Sequence, residues 1–359
     1  MGKYMHLLAN LFVGLTFLLS GAVKLNDLRG FAYKIEEYLY LLAGRMATHV
    51  HRLLPYTLAL AVSIATLEVA LGAAMLVYWQ YFWTLRILLL LTLFFTCLTL
   101  YTATSRRMAH CGCFGDALVL TPWQSFTKSS ILLCVLGGLC WQAKYTPTNA
   151  NSYYWMATTL LFSLGLGRYT LRHLPLLDLL PYKVGSDLTQ LVPQETPLRH
   201  VHMAAKKSPS KAAKHRTPTL DCQPIAPQAR NPRDRPEATQ LCIWQGEKEV
   251  TQALLTGRKL LVVTQDPACI TTPTLQNLSI LVQQLQAALE PILLAANNQG
   301  QKVAEALGLP LHTAHPLLLR TMLRAELGLL LLNDGQVMGK WHFNDIQRTK
   351  DPRHLFCYK

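Results

Sequence analysis

Charge is scarce in this chain, and acid is scarcer than base. Only 15% of its 359 residues are charged, and 20 acidic side chains stand against 34 basic ones. With 51% hydrophobic residues and a positive mean hydropathy, the chain is too apolar for an ordinary soluble domain of this size. A formal net charge of +14 first suggests nucleic acid. Much of it, however, lies beside apolar runs and in one stretch between 200 and 236, which is how membrane proteins carry base. The lipid bilayer is therefore the expected partner, and nucleic acid is not. Close-spaced cysteine is also lacking, with one exception at Cys111 and Cys113. No second such pair exists among the nine cysteines, which weakens a structural zinc reading because such sites usually draw on two ligand pairs. No internal repeat supports a transporter.

The apolar residues are concentrated before about position 180. A span needs roughly 20 mostly apolar residues, and five runs approach that. They extend from about Leu7 to Val23, Pro55 to Tyr78, Phe82 to Tyr101, Pro122 to Trp141 and Tyr153 to Gly167. The first resembles a signal peptide in its Ser20-Gly21-Ala22 ending, but the spans behind it favour an uncleaved helix. Between Lys24 and Arg52, Phe31, Ile35, Tyr38, Leu39 and Leu42 recur at helical spacing while Lys34, Glu36 and Glu37 face elsewhere. That is an amphipathic helix at the membrane surface or against the bundle. Thr121 and Pro122 read as the N-cap and first turn of the fourth span. Cys97, Cys134 and Cys140, inside apolar runs, read as small buried hydrophobes.

Two places in this half carry chemistry. Glu68 lies near the middle of an apolar run, where a carboxylate is costly and a functional candidate. It is either a proton site or a hydrogen-bonded glutamate facing a neighbouring helix. The second place is His110-Cys111-Gly112-Cys113-Phe114-Gly115-Asp116, a polar break between the third and fourth spans. Cysteines two residues apart close only a tight, strained disulfide ring, and a strained disulfide is readily reduced. The pair suits an oxidant or electron relay, with His110 assisting thiolate formation. Unremarkable free thiols and half a metal site remain the alternatives.

Orientation is contested. Lys24, Arg29, Lys34, Arg45 and Arg52 follow the first span, Arg106 and Arg107 the third, and Arg168 and Arg172 the fifth. Positive charge marks cytoplasmic loops, which would put the Cys-Gly-Cys loop inside. A persistent disulfide needs an oxidising compartment, which puts it outside, and the extracytoplasmic placement is preferred.

Leu174 to Lys183, bracketed by Pro175 and Pro181, reads as a juxtamembrane segment. The stretch 184–240 is basic and proline-rich and reads as a linker. From 241 to 359 the rhythm is that of a small α/β domain. Strands are expected at Lys259–Thr264 and Ile292–Ala296, with helices at Thr274–Leu289, Lys302–Leu307 and Leu317–Arg324. Asn333-Asp334-Gly335 supplies a hairpin turn between the last two strands. Strand, helix, strand, helix, then hairpin is the thioredoxin-like order.

Phe17-Leu18-Leu19-Ser20-Gly21 with Lys24-Leu25, Gly30-Phe31-Ala32 with Ile35-Glu36-Glu37-Tyr38, and above all Cys111-Gly112-Cys113-Phe114-Gly115-Asp116 make roughly the first 180 residues resemble the DoxX-like and MauE group of membrane proteins. Joined to a thioredoxin-like tail, it is similar to a Bacteroidetes-type arrangement in which no methylamine role need follow. The tail departs from active thioredoxins. Cys269 stands alone where a Cys-x-x-Cys pair is needed, and Leu327 stands where the family has its cis-proline. The resemblance implies a multi-pass protein of the bacterial inner membrane. With the residues read above it supports a thiol–disulfide relay through Cys111 and Cys113 that serves an envelope dithiol protein, in which Glu68 accepts a proton within the bundle; a quinone is the electron acceptor by analogy with the group. The competing expectation is a non-enzymatic scaffold that displays a degenerate binding domain.

Overall fold

The fold was analysed in a computed structural model that describes residues 3–43, 52–105, 112, 115, 118, 120–143, 150–192, 241–286, 289–296 and 298–347. In hydrocarbon every backbone polar group must be satisfied within its own segment, so the apolar runs fold as helices. These are α1 (Lys3–Asn26), α2 (Leu28–Ala43), α3 (Thr57–Leu76), α4 (Tyr81–Ser105), α5 (Pro122–Gln142) and α6 (Ala150–Arg172). Three of the long helices, over Tyr4–Asn26, Leu54–Leu76 and Tyr81–Ser105, are long and apolar enough to cross a membrane. The helices α5 and α6 have the length, 21 and 23 residues, but are less apolar along it. The expected N-cap is present: Thr121 and Gln124 form a reciprocal capping box at the start of α5.

Helices α1 and α3 touch through small residues, the usual device for close approach in a bilayer. A Cβ on Gly72 would fall 2.6 Å from the Leu18 backbone nitrogen, and one on Gly21 would fall 2.8 Å from that of Val69. Around this pair, Val13, Phe17, Leu71, Met75, Leu85, Leu88, Leu132 and Leu136 form one core. Leu25, Leu28, Phe31, Ala32, Ala61 and Ala65 form another. Leu8, Phe12, Leu90, Phe94, Leu161 and Phe162 are exposed on the outside of the bundle, an apolar surface of the kind that marks contact with lipid. Cys97 and Cys134 correct an expectation. They are exposed on α4 and α5, not buried in the core, so the bilayer and not the bundle supplies their apolar surroundings.

The second half is a mixed sheet with helices on both faces. Its strands are β1 (Ile243–Gln245), β2 (Lys248–Glu249), β3 (Arg258–Thr264), β4 (Glu290–Ala295), β5 (Leu311–Ala314), β6 (Leu327–Asn333) and β7 (Gln336–His342). They lie in the order β2-β1-β5-β4-β3-β6-β7. Pairs β3/β4 and β4/β5 are parallel, and the others are antiparallel. The helices are the short α7 (Thr251–Leu254), then α8 (Thr272–Leu285), α9 (Gln301–Leu307), α10 (Pro316–Met322) and α11 (Phe343–Gln347). Alternation along β3 sends Leu261 and Val263 to the face that packs Leu318, Leu319 and Met322 of α10. Leu260 and Val262 go to the face covered by α8, α9 and α11. Asp334 and Gly335 take positive φ, 47° and 80°, in the two-residue turn between β6 and β7, as that turn type requires.

The boundary between the halves is not where composition changes. Tyr182 and Leu188, on either side of the boundary expected at 183, are both fully buried in the α/β core, with Leu174, Leu191 and Val192 packed against it. This strap is stitched to the hairpin by Gly185 N to Val337 O at 2.8 Å, Val337 N to Ser186 O at 2.9 Å and Leu188 N to Gly335 O at 2.9 Å. Leu191 O then accepts from Leu241 N at 3.0 Å. The residues after 192 thus leave the domain and return to it at adjoining points.

Candidate functional site

Glu68 points from α3 into the contact with α1, one side of which is built from Ser20 and Lys24. Those two are four residues apart on α1 and so share a face. Lys24 Nζ donates to both Glu68 oxygens, at 2.7 Å to Oε1 and 2.5 Å to Oε2, and to Ser20 Oγ at 2.9 Å. Ser20 Oγ donates to Glu68 Oε2 at 3.0 Å. The two charged side chains are only 4% and 2% exposed. The ammonium also lies 5.3 Å from the Phe31 ring and 5.9 Å from the Phe95 ring. Taking two charges out of water is costly and is offset only when geometry and extra hydrogen bonds are good. Here the small-residue contact between α1 and α3 brings the groups close enough. Glu68 is therefore an ion-paired carboxylate. Glu68 stands out in the sequence as a carboxylate within an apolar run, whereas Lys24, just past the end of the first run, becomes its partner only when α1 packs on α3.

His110, Cys111 and Cys113 lie outside the described residues. Two glycines of their loop lie inside. Gly112 is buried against α2, so close that a Cβ there would stand 3.0 Å from Lys34 Cγ. Gly115 has φ +55°, and a Cβ there would meet Val23 Cγ1 at 3.5 Å. Its N–H donates to Gly112 O at 3.1 Å, closing a turn. Gly115 therefore lies near the end of α1, beside the residue that precedes Lys24. The buried ion pair and the loop occupy the same end of the bundle.

That end also receives the α/β domain. Arg324 Nε donates to Asp27 Oδ2 at 2.8 Å, with side chains 7% and 15% exposed. Asp27 Oδ1 accepts from Gly30 N at 2.8 Å in the first turn of α2. Lys340 Nζ donates to Asp178 Oδ2 at 2.7 Å. Burial pulls this ammonium below the ordinary lysine range, against the Asp178 carboxylate that holds it up. His173 pairs with Asp345. Asn26 and the Leu177 backbone exchange two hydrogen bonds, at 2.8 and 3.0 Å. Cys269 ends a 3-10 turn, Pro267–Cys269, capped by Asp266. It precedes α8 by three residues and is not in its first turn. Cys242 is no thiolate candidate, because burial and then Glu249 push its thiol up.

Residues 2–142 match the family model described as Methylamine utilisation protein MauE. Over those residues, less than half of the chain, the protein is similar to MauE. The matched residues run from α1 to the end of α5 and contain Lys24, Glu68, His110, Cys111 and Cys113. The helix α6, the strap and the α/β domain lie beyond the MauE match. No curated protein and no solved structure matches the chain.

Proposed function

We propose that this protein is a membrane thiol–disulfide relay of the MauE type, with Cys111 and Cys113 as its redox pair. The observation that carries the reading is the MauE match spanning the Cys-Gly-Cys loop. Gly112, within that motif, is buried beside the Lys34 stem of α2. In the reaction, a thiolate of a partner dithiol attacks Cys111 Sγ and expels Cys113 as thiolate. The partner's second thiolate then attacks its own sulfur in the mixed disulfide and expels Cys111. The partner leaves as a disulfide, and the pair is left as a dithiol carrying two electrons and two protons. A membrane quinone, reduced to the quinol, is the acceptor by analogy. His110 assists thiolate formation, and Glu68, held by Lys24, takes protons within the bundle. A Cys113→Ser form accumulates mixed disulfides with an envelope dithiol protein if the relay operates. Absence of such adducts favours the second reading, a non-enzymatic scaffold.

The α/β domain is read as thioredoxin-like. In support, β4-β3-β6-β7 has a parallel pair joined through a helix, then an antiparallel hairpin followed by a helix. Cys269 alone gives it no dithiol chemistry, so its role here is binding. The pair and the domain are placed outside the bacterial inner membrane. Three cations that argued otherwise are engaged in the fold. Lys24 is buried on Glu68, Arg29 pairs with Glu326 and Lys34 pairs with Glu37. A membrane-impermeant thiol reagent, applied to intact reduced cells, labels Cys111 or Cys113 under this placement. Labelling only after permeabilisation overturns it.

A further inference from the structure

The segment that leads from α6 into the strap has its polarity turned inside out. Asp178 faces the protein. One of its oxygens takes the Lys340 ammonium at 2.7 Å, and the other accepts from Leu180 N at 3.1 Å. The leucines around it face away: Leu176, Leu177 and Leu179 are 60%, 66% and 45% exposed. This lip is held in place on both sides and in the middle. Leu174 packs on the α/β core before it, and Leu180 and Tyr182 are buried after it. Between them, the Leu177 backbone is fixed to the Asn26 side chain by hydrogen bonds of 2.8 and 3.0 Å. A contiguous, rigidly presented apolar patch marks a contact surface. Its position says what it contacts. Asn26 is the last residue of the membrane-length helix over Tyr4–Asn26, so the Leu177 backbone sits at the level where that helix ends. The far end of the bundle carries exposed aromatics, Trp83 on α4, Trp141 on α5, and Tyr154 and Trp155 on α6, of the kind that gather at a membrane–water interface. Helix α6 joins the two ends. Its 23 residues measure about 34 Å at 1.5 Å per residue, against roughly 30 Å of hydrocarbon. With the aromatic end at one interface, the lip falls at the other, and the exposed Leu160, Leu161, Phe162 and Leu164 of α6 lead up to it.

We propose that this lip is a lipid anchor of the α/β domain: Leu176, Leu177 and Leu179 sit in the boundary between headgroups and acyl chains, and the partner of the surface is the phospholipid of the same bilayer. The α/β domain is a cap on α2, through Arg29 to Glu326 and Tyr33 to Gln265. The lip gives that cap a second footing, in the leaflet itself. The insertion is shallow, in the manner of interfacial segments that bury about 5–10 Å, because Asp178 among the leucines stays on Lys340. Arg168, Arg172 and Lys183 are exposed on either side of the lip, where long basic side chains keep their stems on apolar surface and their charges among lipid phosphates. None of this rests on the relay, and it holds for either orientation of the bundle.

The test uses the full-length protein in nanodiscs of phosphatidylethanolamine and phosphatidylglycerol. The photoreactive residue p-benzoylphenylalanine replaces Leu177. The same replacement of Leu161, exposed on α6, is the lipid-facing control, and that of Ile280, exposed on α8, is the water-facing control. After illumination, intact mass reports what each position has captured. A phospholipid adduct is expected at position 177, in a yield within about threefold of position 161 and roughly tenfold above position 280, as a patch buried in the interface requires. A yield no higher than at position 280 puts the lip in water and overturns the proposal. Capture of a protein chain in place of lipid makes the lip a protein interface and overturns it as well. The wild type supplies a reading that needs no substitution. Hydroxyl-radical oxidation of Leu176, Leu177 and Leu179 in the same nanodiscs should fall about fivefold or more below that of Ile280, because the bilayer covers an apolar patch that the fold leaves open. Oxidation at the Ile280 rate overturns the proposal even if the substituted proteins fail to fold, and slow oxidation without a lipid adduct in a folded variant overturns it too.

Discussion

The strap that follows α6 makes a sharp prediction about how the α/β domain is held together. Tyr182 and Leu188 are both fully buried in its core. Burying a large side chain contributes roughly 1.5–3 kcal/mol, so the two together supply about 3–6 kcal/mol. The strap's backbone bonds to Gly335, Val337 and Leu241 add about 1 kcal/mol each. A domain's entire stability is about 5–15 kcal/mol. Residues 241–359 alone should therefore be unfolded or nearly so, whereas 174–359 should fold. Leu188→Ala in the full chain should cost about 2–5 kcal/mol, since it leaves a cavity. The assay inserts a specific protease site between 193 and 240 and nicks the purified protein. The two pieces should remain together in native buffer and part on denaturation, at a lower denaturant midpoint in Leu188→Ala. If the nicked 241–359 piece leaves in native buffer and melts cooperatively on its own, or if Leu188→Ala leaves the midpoint unchanged, the strap is an ornament and the reasoning fails.

Three further predictions concern single groups. Glu68→Gln strands Lys24 as an unpaired buried cation and should destabilise the bundle by about 3–5 kcal/mol; Lys24→Met with Glu68→Leu should recover most of it, read by denaturant titration in detergent. His342 has its imidazole pushed down to about 4, by burial first, with Arg29 and His173 lowering it further against the opposing carboxylates Asp345 and Glu326. Its Nδ1 accepts from Asn344 N at 3.1 Å, which requires the unprotonated nitrogen. A depressed folded-state value means that stability is fully present above the ordinary 6.5 and is lost as pH falls from there toward 4; the loss is roughly 2 kcal/mol after discounting for partial exposure, and His342→Gln should flatten that slope in a pH series of melts. Gly335→Ala should cost about 1 kcal/mol or more, because its φ is +80° and a Cβ there would fall 2.7 Å from Thr189 Cγ2 in the strap; an unchanged melting midpoint would refute it.

Much of the fold was legible because its signals are local. Apolar runs marked α1 and α3 to α6, with ends displaced by up to five residues, Thr121 marked a helix start, and Asp334-Gly335 marked a hairpin. The short strands β1, β2 and β5 span three, two and four residues, too few for a period to declare itself. The apolar stripe of α2 was legible from its spacing. That its polar residues divide between two neighbours was not, because Arg29 finds Glu326 and Gly112 finds Lys34 only in three dimensions. Glu68 stood out as a charge in an apolar run. Its pairing with Lys24, 44 positions away, is a long-range fact that composition cannot carry. In the sequence Leu174 to Lys183 reads as a juxtamembrane segment because Pro175 and Pro181 bracket it, and Leu188 falls in the stretch that reads as linker, because it becomes core only once the hairpin is beside it.

The adjoining positions of Leu191 and Leu241 make the stretch between them an insertion within a domain and not a joint between two. Its two ends are already hydrogen-bonded neighbours, so its length is free to drift. Closing a flexible loop costs only about 0.6 kcal/mol for each doubling of length. Trimming residues 193–240 to a turn of about six residues would give back roughly 1.8 kcal/mol by the same rule without moving the cap on its helix. Sequence change is cheap in such a place. Length and charge can be gained or lost there over generations while the membrane half and its cap stay in register, and a fluorescent or affinity module can be grafted at the same point.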